Sequence, residues 1–97
     1  MDNIIITGSD KSCVISGEGF SYRFENGHPT EIIIDGKTQE SIPVPEINGK
    51  AATPKTRLVH KYWDSAMVIT EYRRGLKKLQ VKYFVHSSGE LKIENII

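Results

Sequence analysis

Phe20-Ser21-Tyr22-Arg23-Phe24-Glu25-Asn26-Gly27 is the stretch that decides the fold. Its aromatic residues alternate with polar ones. In an extended chain that puts Phe20, Tyr22 and Phe24 on one face, and Ser21, Arg23 and Glu25 on the other. Asn26-Gly27 closes the run. Both residues tolerate positive φ, which the tight hairpin turn requires at its two central positions. The chain must then fold back, and the isoleucine-rich run Thr30 to Asp35 reads as the return strand, ended by Asp35-Gly36.

The same pattern extends outward in both directions. Upstream, Asn3 to Thr7 and Ser12 to Ser16 are short β-branched runs split by the turn-like Gly8-Ser9-Asp10-Lys11. Downstream, Thr56 to Trp63 places Leu58, His60 and Tyr62 opposite Val59, Lys61 and Trp63. Asp64-Ser65 turns, and Ala66, Val68, Thr70 and Tyr72 then alternate against Met67, Ile69 and Glu71. Beyond Arg74-Gly75, Leu79, Val81, Tyr83 and Val85 share a face opposite Lys78, Gln80, Lys82, Phe84 and His86. Ser87-Ser88-Gly89 leads to a last strand with Leu91, Ile93, Asn95 and Ile97 opposite Lys92, Glu94 and Ile96.

Ile42 to Gly49 breaks the pattern. Pro43 and Pro45 each lack an amide donor, so this segment reads as an extended loop or edge passage, irregular through Pro54. No window of helical length keeps apolar residues at helical spacing. The expectation is an all-β, antiparallel β-sandwich of about seven strands joined as meander hairpins, the economical way for such strands to bury one face. At 97 residues the chain is a single domain, 1–97. Its final strand runs into Ile96-Ile97 without a polar terminator. That predicts either a centrally packed last strand or a fragment of a larger multidomain protein.

Composition excludes several functions. Thirteen Lys and Arg balance twelve Asp and Glu for a net charge of +1, so there is no electrostatic case for a nucleic-acid or acidic-membrane partner. No apolar run approaches the ~20 residues of a membrane-spanning helix, and no basic leader precedes an apolar stretch. Localisation is therefore left open. A single cysteine excludes an internal disulfide and a multi-cysteine zinc site. Cys13 reads as a small buried hydrophobe rather than a nucleophile.

No catalytic set emerges. His28, His60 and His86 are too scattered for metal-ligand spacing, and no metal or cofactor is expected. Asp64 and Glu71 are the carboxylates to test as an acid/base pair, but exposed strand-face carboxylates are the common case. Gly17-Glu18-Gly19 is a turn and lacks the context of a phosphate loop. Arg73, Arg74, Lys77, Lys78 and Lys82, with Tyr72 and Tyr83 nearby, could form a single-stranded nucleic-acid surface. At a net charge of +1 they read better as a solvated hairpin tip. The remaining candidates are Tyr62 and Trp63 beside Asp64, a sugar-stacking platform. Alternation turns one of the two inward, and a core tryptophan is the commoner case.

The run from Ile15 through Gly17, Phe20, Phe24 and Gly27 to Gly36-Lys37 resembles the start of the β-galactosidase small-chain domain. Val81 to Glu94, with Ser88-Gly89 at its turn, is similar to a later hairpin of that family. The family's Arg-Ala-Pro-Thr-Asp-Asn-Asp-like segment is replaced here by Ala51-Ala52-Thr53-Pro54-Lys55-Thr56. The resemblance implies a galactose-mutarotase-like β-sandwich, a non-catalytic accessory piece of a family 2 glycoside hydrolase. It would pack on the catalytic domain or contact glycan through Trp63 and Tyr62, with the acid and nucleophile glutamates in a separate barrel domain. The competing expectation is a stand-alone interaction or adhesin-like module. A homodimer through the edge strand is compatible with either.

Overall fold

The computed structural model describes residues 4–96. Asn3 and Ile97, which the alternation puts on the first and last strands, lie outside the described residues. Five strands, β1 (Ile5–Gly8), β2 (Ser12–Gly17), β3 (Phe20–Glu25), β4 (His28–Ile34) and β5 (Lys37–Thr38), form one antiparallel sheet in chain order. Two short strands, β6 (Glu46–Ile47) and β7 (Lys50–Ala51), make a separate ribbon. Four more, β8 (Thr53–Lys61), β9 (Ser65–Arg74), β10 (Lys77–His86) and β11 (Leu91–Asn95), form a second antiparallel meander.

The fold is all-β and built from meander hairpins. Among the described residues it has eleven strands where about seven are predicted. Much of the excess lies in β5, β6 and β7, which have two residues each and are too short for period-two alternation to reveal. The region from Ile42 through Pro54, expected to be an extended passage and then irregular, instead contains β6, β7 and the first two residues of β8.

Asn26 and Gly27 form the predicted turn with φ of 52° and 83°. The return strand begins at His28, and the β3–β4 register shifts where Phe24 faces Pro29, so a bulge at Thr30 accommodates the proline. The turn also packs closely. A Cβ on Gly27 would run into the side chain of Thr70 on the opposite sheet, and the Thr70 hydroxyl donates to the Gly27 carbonyl at 2.6 Å.

The two sheets bury their inner faces against each other. Phe20, Tyr22, Phe24 and Ile32 meet Val68, Tyr72, Tyr83 and Val85, and Phe24 packs edge-on against Tyr83 with centroids 5.7 Å apart. Among the described residues the buried side-chain polar groups are paired except the Thr56 hydroxyl, which lies beside Gly27 without a hydrogen-bond partner. The Tyr22 hydroxyl donates to the Gly89 carbonyl at 2.6 Å.

A directed chain of hydrogen bonds runs through the centre. His28 Nε2 faces the Ile42 carbonyl at 2.7 Å, so that nitrogen must donate. In the tautomer with its proton on Nε2, Nδ1 accepts from the Tyr72 hydroxyl at 2.7 Å, which is then left to accept from Tyr83. Through this chain the proline-bearing segment is fastened to the second sheet.

The last strand is not central. β11 pairs with β10 alone and forms one edge of its sheet, and Ile93 and Ile96 are each about half exposed.

Candidate functional site

The candidate site lies where the second sheet turns from β8 to β9. Strand β8 ends at Lys61, so Tyr62 and Trp63 belong to the turn and strand alternation no longer governs them. Both face solvent. Trp63 is 85% exposed and Tyr62 43%, which overturns the expectation that one of them points inward.

Tyr62 leans back over the outer face of the sheet. Its ring meets His60 edge-on at 4.6 Å, and its hydroxyl lies 3.9 Å from Met67 Sδ. Met67 is therefore buried although it points away from the core.

The base beneath Trp63 is tied down. The Tyr62 amide donates to the Ser65 carbonyl at 2.8 Å. The Ser87 amide donates to the Asp64 carbonyl at 2.8 Å, joining the β8–β9 turn to the β10–β11 turn. Beside this junction the outer sheet face holds a cleft of about 470 Å³ lined by Ser65, Phe84, His86, Ser88, Glu90 and Lys92. Lys82 Nζ sits 5.5 Å from the Phe84 ring centroid. An apolar ring ringed by hydroxyl, imidazole, carboxylate and ammonium groups suits a polyhydroxylated ligand, which presents an apolar face and many hydrogen-bonding groups.

Sequence reasoning missed one grouping here. Ser88 Oγ lies 3.1 Å from His86 Nδ1, and Asp64 lies 3.5 Å from His86 Nε2, the order of a nucleophile, a base and an orienting acid. The hydrogen bonds explain why it serves the turn instead. His86 Nδ1 already accepts from the Ser88 amide at 3.2 Å, so its lone pair is occupied. The Gly89 amide is bonded to the His86 carbonyl at 2.8 Å and is not free to stabilise an oxyanion. Three residues so close in space but scattered between 64 and 88 leave no spacing signal in the sequence.

The other candidates are dispersed. Asp64 and Glu71 lie seven residues apart along an extended strand, about 23 Å at the usual rise. Carboxylates flanking one glycosidic bond stand within ~10 Å of each other. Glu71 is buried and paired with Arg73 at 3.1 Å. Cys13 is buried, and its thiol is pushed up by burial and then by the nearby Asp10 and Glu25 carboxylates. Tyr72 and Tyr83, which a nucleic-acid surface on the basic hairpin would need, both lie in the core. Among the described residues no group of three or more His, Cys, Asp or Glu could hold a metal ion.

Comparison with protein-family models, with curated proteins and with solved structures finds no match to this chain. The resemblance to the β-galactosidase small-chain domain therefore rests on its own residues, from Gly17 to Lys37 and from Val81 to Glu94.

Proposed function

We propose that this chain is a non-catalytic, carbohydrate-contacting β-sandwich module, the accessory role that its resemblance to the β-galactosidase small-chain domain implies. The observation that carries the reading is Trp63. An indole this exposed, on a turn pinned by backbone hydrogen bonds at both ends, has no packing role, whereas a flat aromatic face is what the apolar face of a sugar ring stacks on. The adjoining cleft supplies polar groups to fix orientation. In this reading the catalytic domain of a parent glycosidase, or a second copy of the chain, adds along the exposed edge of β11.

The test is titration of the purified chain with galactose-containing oligosaccharides, following tryptophan fluorescence. Saturable quenching, together with calorimetric binding of the same sugars that weakens at least tenfold in Trp63→Ala with folding unchanged, supports the proposal; the variant is followed by heat because Trp63 is the sole tryptophan. Turnover of an aryl galactoside by the chain alone would refute the non-catalytic part. Glycan binding unaffected by Trp63→Ala would refute the site.

A further inference from the structure

The net charge of +1 conceals a segregation by sheet. Residues 53–95, which form the second sheet, hold nine Lys and Arg against four Asp and Glu, a net of +5. Residues 5–38, which form the first, hold three against five, a net of −2. Much of the positive charge lies on the outward face of the second sheet, because alternation directs Val68, Thr70, Tyr72, Val81 and Tyr83 into the core.

At the far end of that face from Trp63 lies a second cleft, of about 360 Å³, lined by Thr53, Lys55, Glu71, Arg73, Arg74 and Gly75. Its single carboxylate, Glu71, has a side chain only 4% exposed and holds the Arg73 guanidinium at 3.1 Å, while 60% of the Arg73 side chain stays open to solvent. Glu71 thus acts as a positioning residue, and Arg73 keeps donors free for a planar or tetrahedral anion. Lys55 and Arg74 flank it. Lys82 and Lys92 carry positive charge on towards the aromatic cleft.

We propose that this outer face binds a polyanionic glycan, seating an anionic substituent in the Lys55–Arg73–Arg74 cleft while the Trp63 end holds a sugar ring. The inference rests on the carbohydrate reading above and names its ligand class. The two clefts stand at opposite ends of β9, about 30 Å apart at the usual strand rise, so the ligand spans several sugar units. A single-stranded nucleic acid fits less well. Its binding grooves place aromatic rings along the basic track for successive bases, and here Tyr72 and Tyr83 are buried, with 0% and 2% exposed.

The experiment is calorimetric titration of the full chain with a sulfated octasaccharide of otherwise neutral sugars, the same octasaccharide stripped of sulfate, and an oligothymidylate of equal charge. The expected result is binding of the sulfated sugar at least tenfold tighter than the stripped one in 50 mM salt, weakening steadily as salt rises. Lys55→Gln with Arg74→Gln should remove that tenfold advantage and leave the thermal midpoint and the stripped-sugar affinity unchanged. Glu71 and Arg73 are kept so that no buried charge is orphaned.

Equal affinity for the two sugars, or a double variant that still prefers sulfate, overturns the inference. So does oligothymidylate binding as tightly as the sulfated sugar. If neutral glycans bind through Trp63 and sulfate adds nothing, this inference falls and the functional proposal stands. If Trp63→Ala leaves sulfated-sugar binding unchanged, the Trp63 site falls and the basic cleft stands. If no glycan binds, both fall.

Discussion

At the scale of single residues, the buried Tyr83–Tyr72–His28 chain concentrates the polar cost of the core. Tyr72 is its middle link. Tyr72→Phe leaves both a buried imidazole nitrogen and the Tyr83 hydroxyl unpartnered, and should destabilise the protein by about 1–3 kcal/mol. Tyr83→Phe removes only the terminal donor, should cost about 1 kcal/mol, and so should rank below it in a urea titration. Burial pushes the Tyr72 and Tyr83 hydroxyls above the ordinary phenol range. The bond between them raises Tyr72 further and partly offsets the shift of Tyr83. Tyr22 is raised by burial and by Glu90. Above pH 10 the unfolded chain releases protons that the folded one keeps. Stability should therefore be flat with respect to these groups below that point and fall as pH climbs past it. Urea midpoints between pH 8 and 11 check this, and Tyr83→Phe should lessen the decline. Gly27→Ala tests the turn. Positive φ and collision with Thr70 together should cost at least about 1–3 kcal/mol, whereas Gly36, with nothing near its missing Cβ, bears only the backbone term. Asn26-Gly27 was legible from sequence because turn chemistry is local. The role of His28 was not, since its partners Ile42 and Tyr72, and Tyr83 beyond Tyr72, come from distant segments.

At the scale of elements, alternation read the faces of β3, β9 and β10 correctly because each is long and covered on one side by the other sheet. It failed at Tyr62 and Trp63, where the strand had already ended and the turn set their direction. The consequence is measurable. Trp63→Ala should leave stability within about 0.5 kcal/mol, where a core tryptophan would cost about 3–5 kcal/mol. The edge strand β11 gives a second prediction. Its exposed Ile93 should favour self-association at high concentration in sedimentation equilibrium, and Ile93→Lys should return the chain to monomer without unfolding it, as charged edge residues generally deter pairing. The two clefts were invisible to sequence because each gathers side chains from more than one strand, β8 and β9 for the basic cleft and β9, β10 and β11 for the aromatic one. Met67 shows the same limitation, buried on the face that alternation assigns to solvent.

At the scale of the whole molecule, every ladder joins strands adjacent in sequence, and the segment between β5 and β8 is the one covalent passage from the first sheet to the second. A cut within it, between Val44 and Pro45, leaves each piece with all the strands of one sheet. What is lost is mainly the tether, which acts as an effective concentration. The pieces carry opposite net charge and complementary apolar faces, so they should find each other. The molecule is in this sense a natural split protein. Equimolar peptides 1–44 and 45–97 should regain the near-ultraviolet signature of packed tyrosines that neither shows alone, with a midpoint that rises with concentration and falls with added salt.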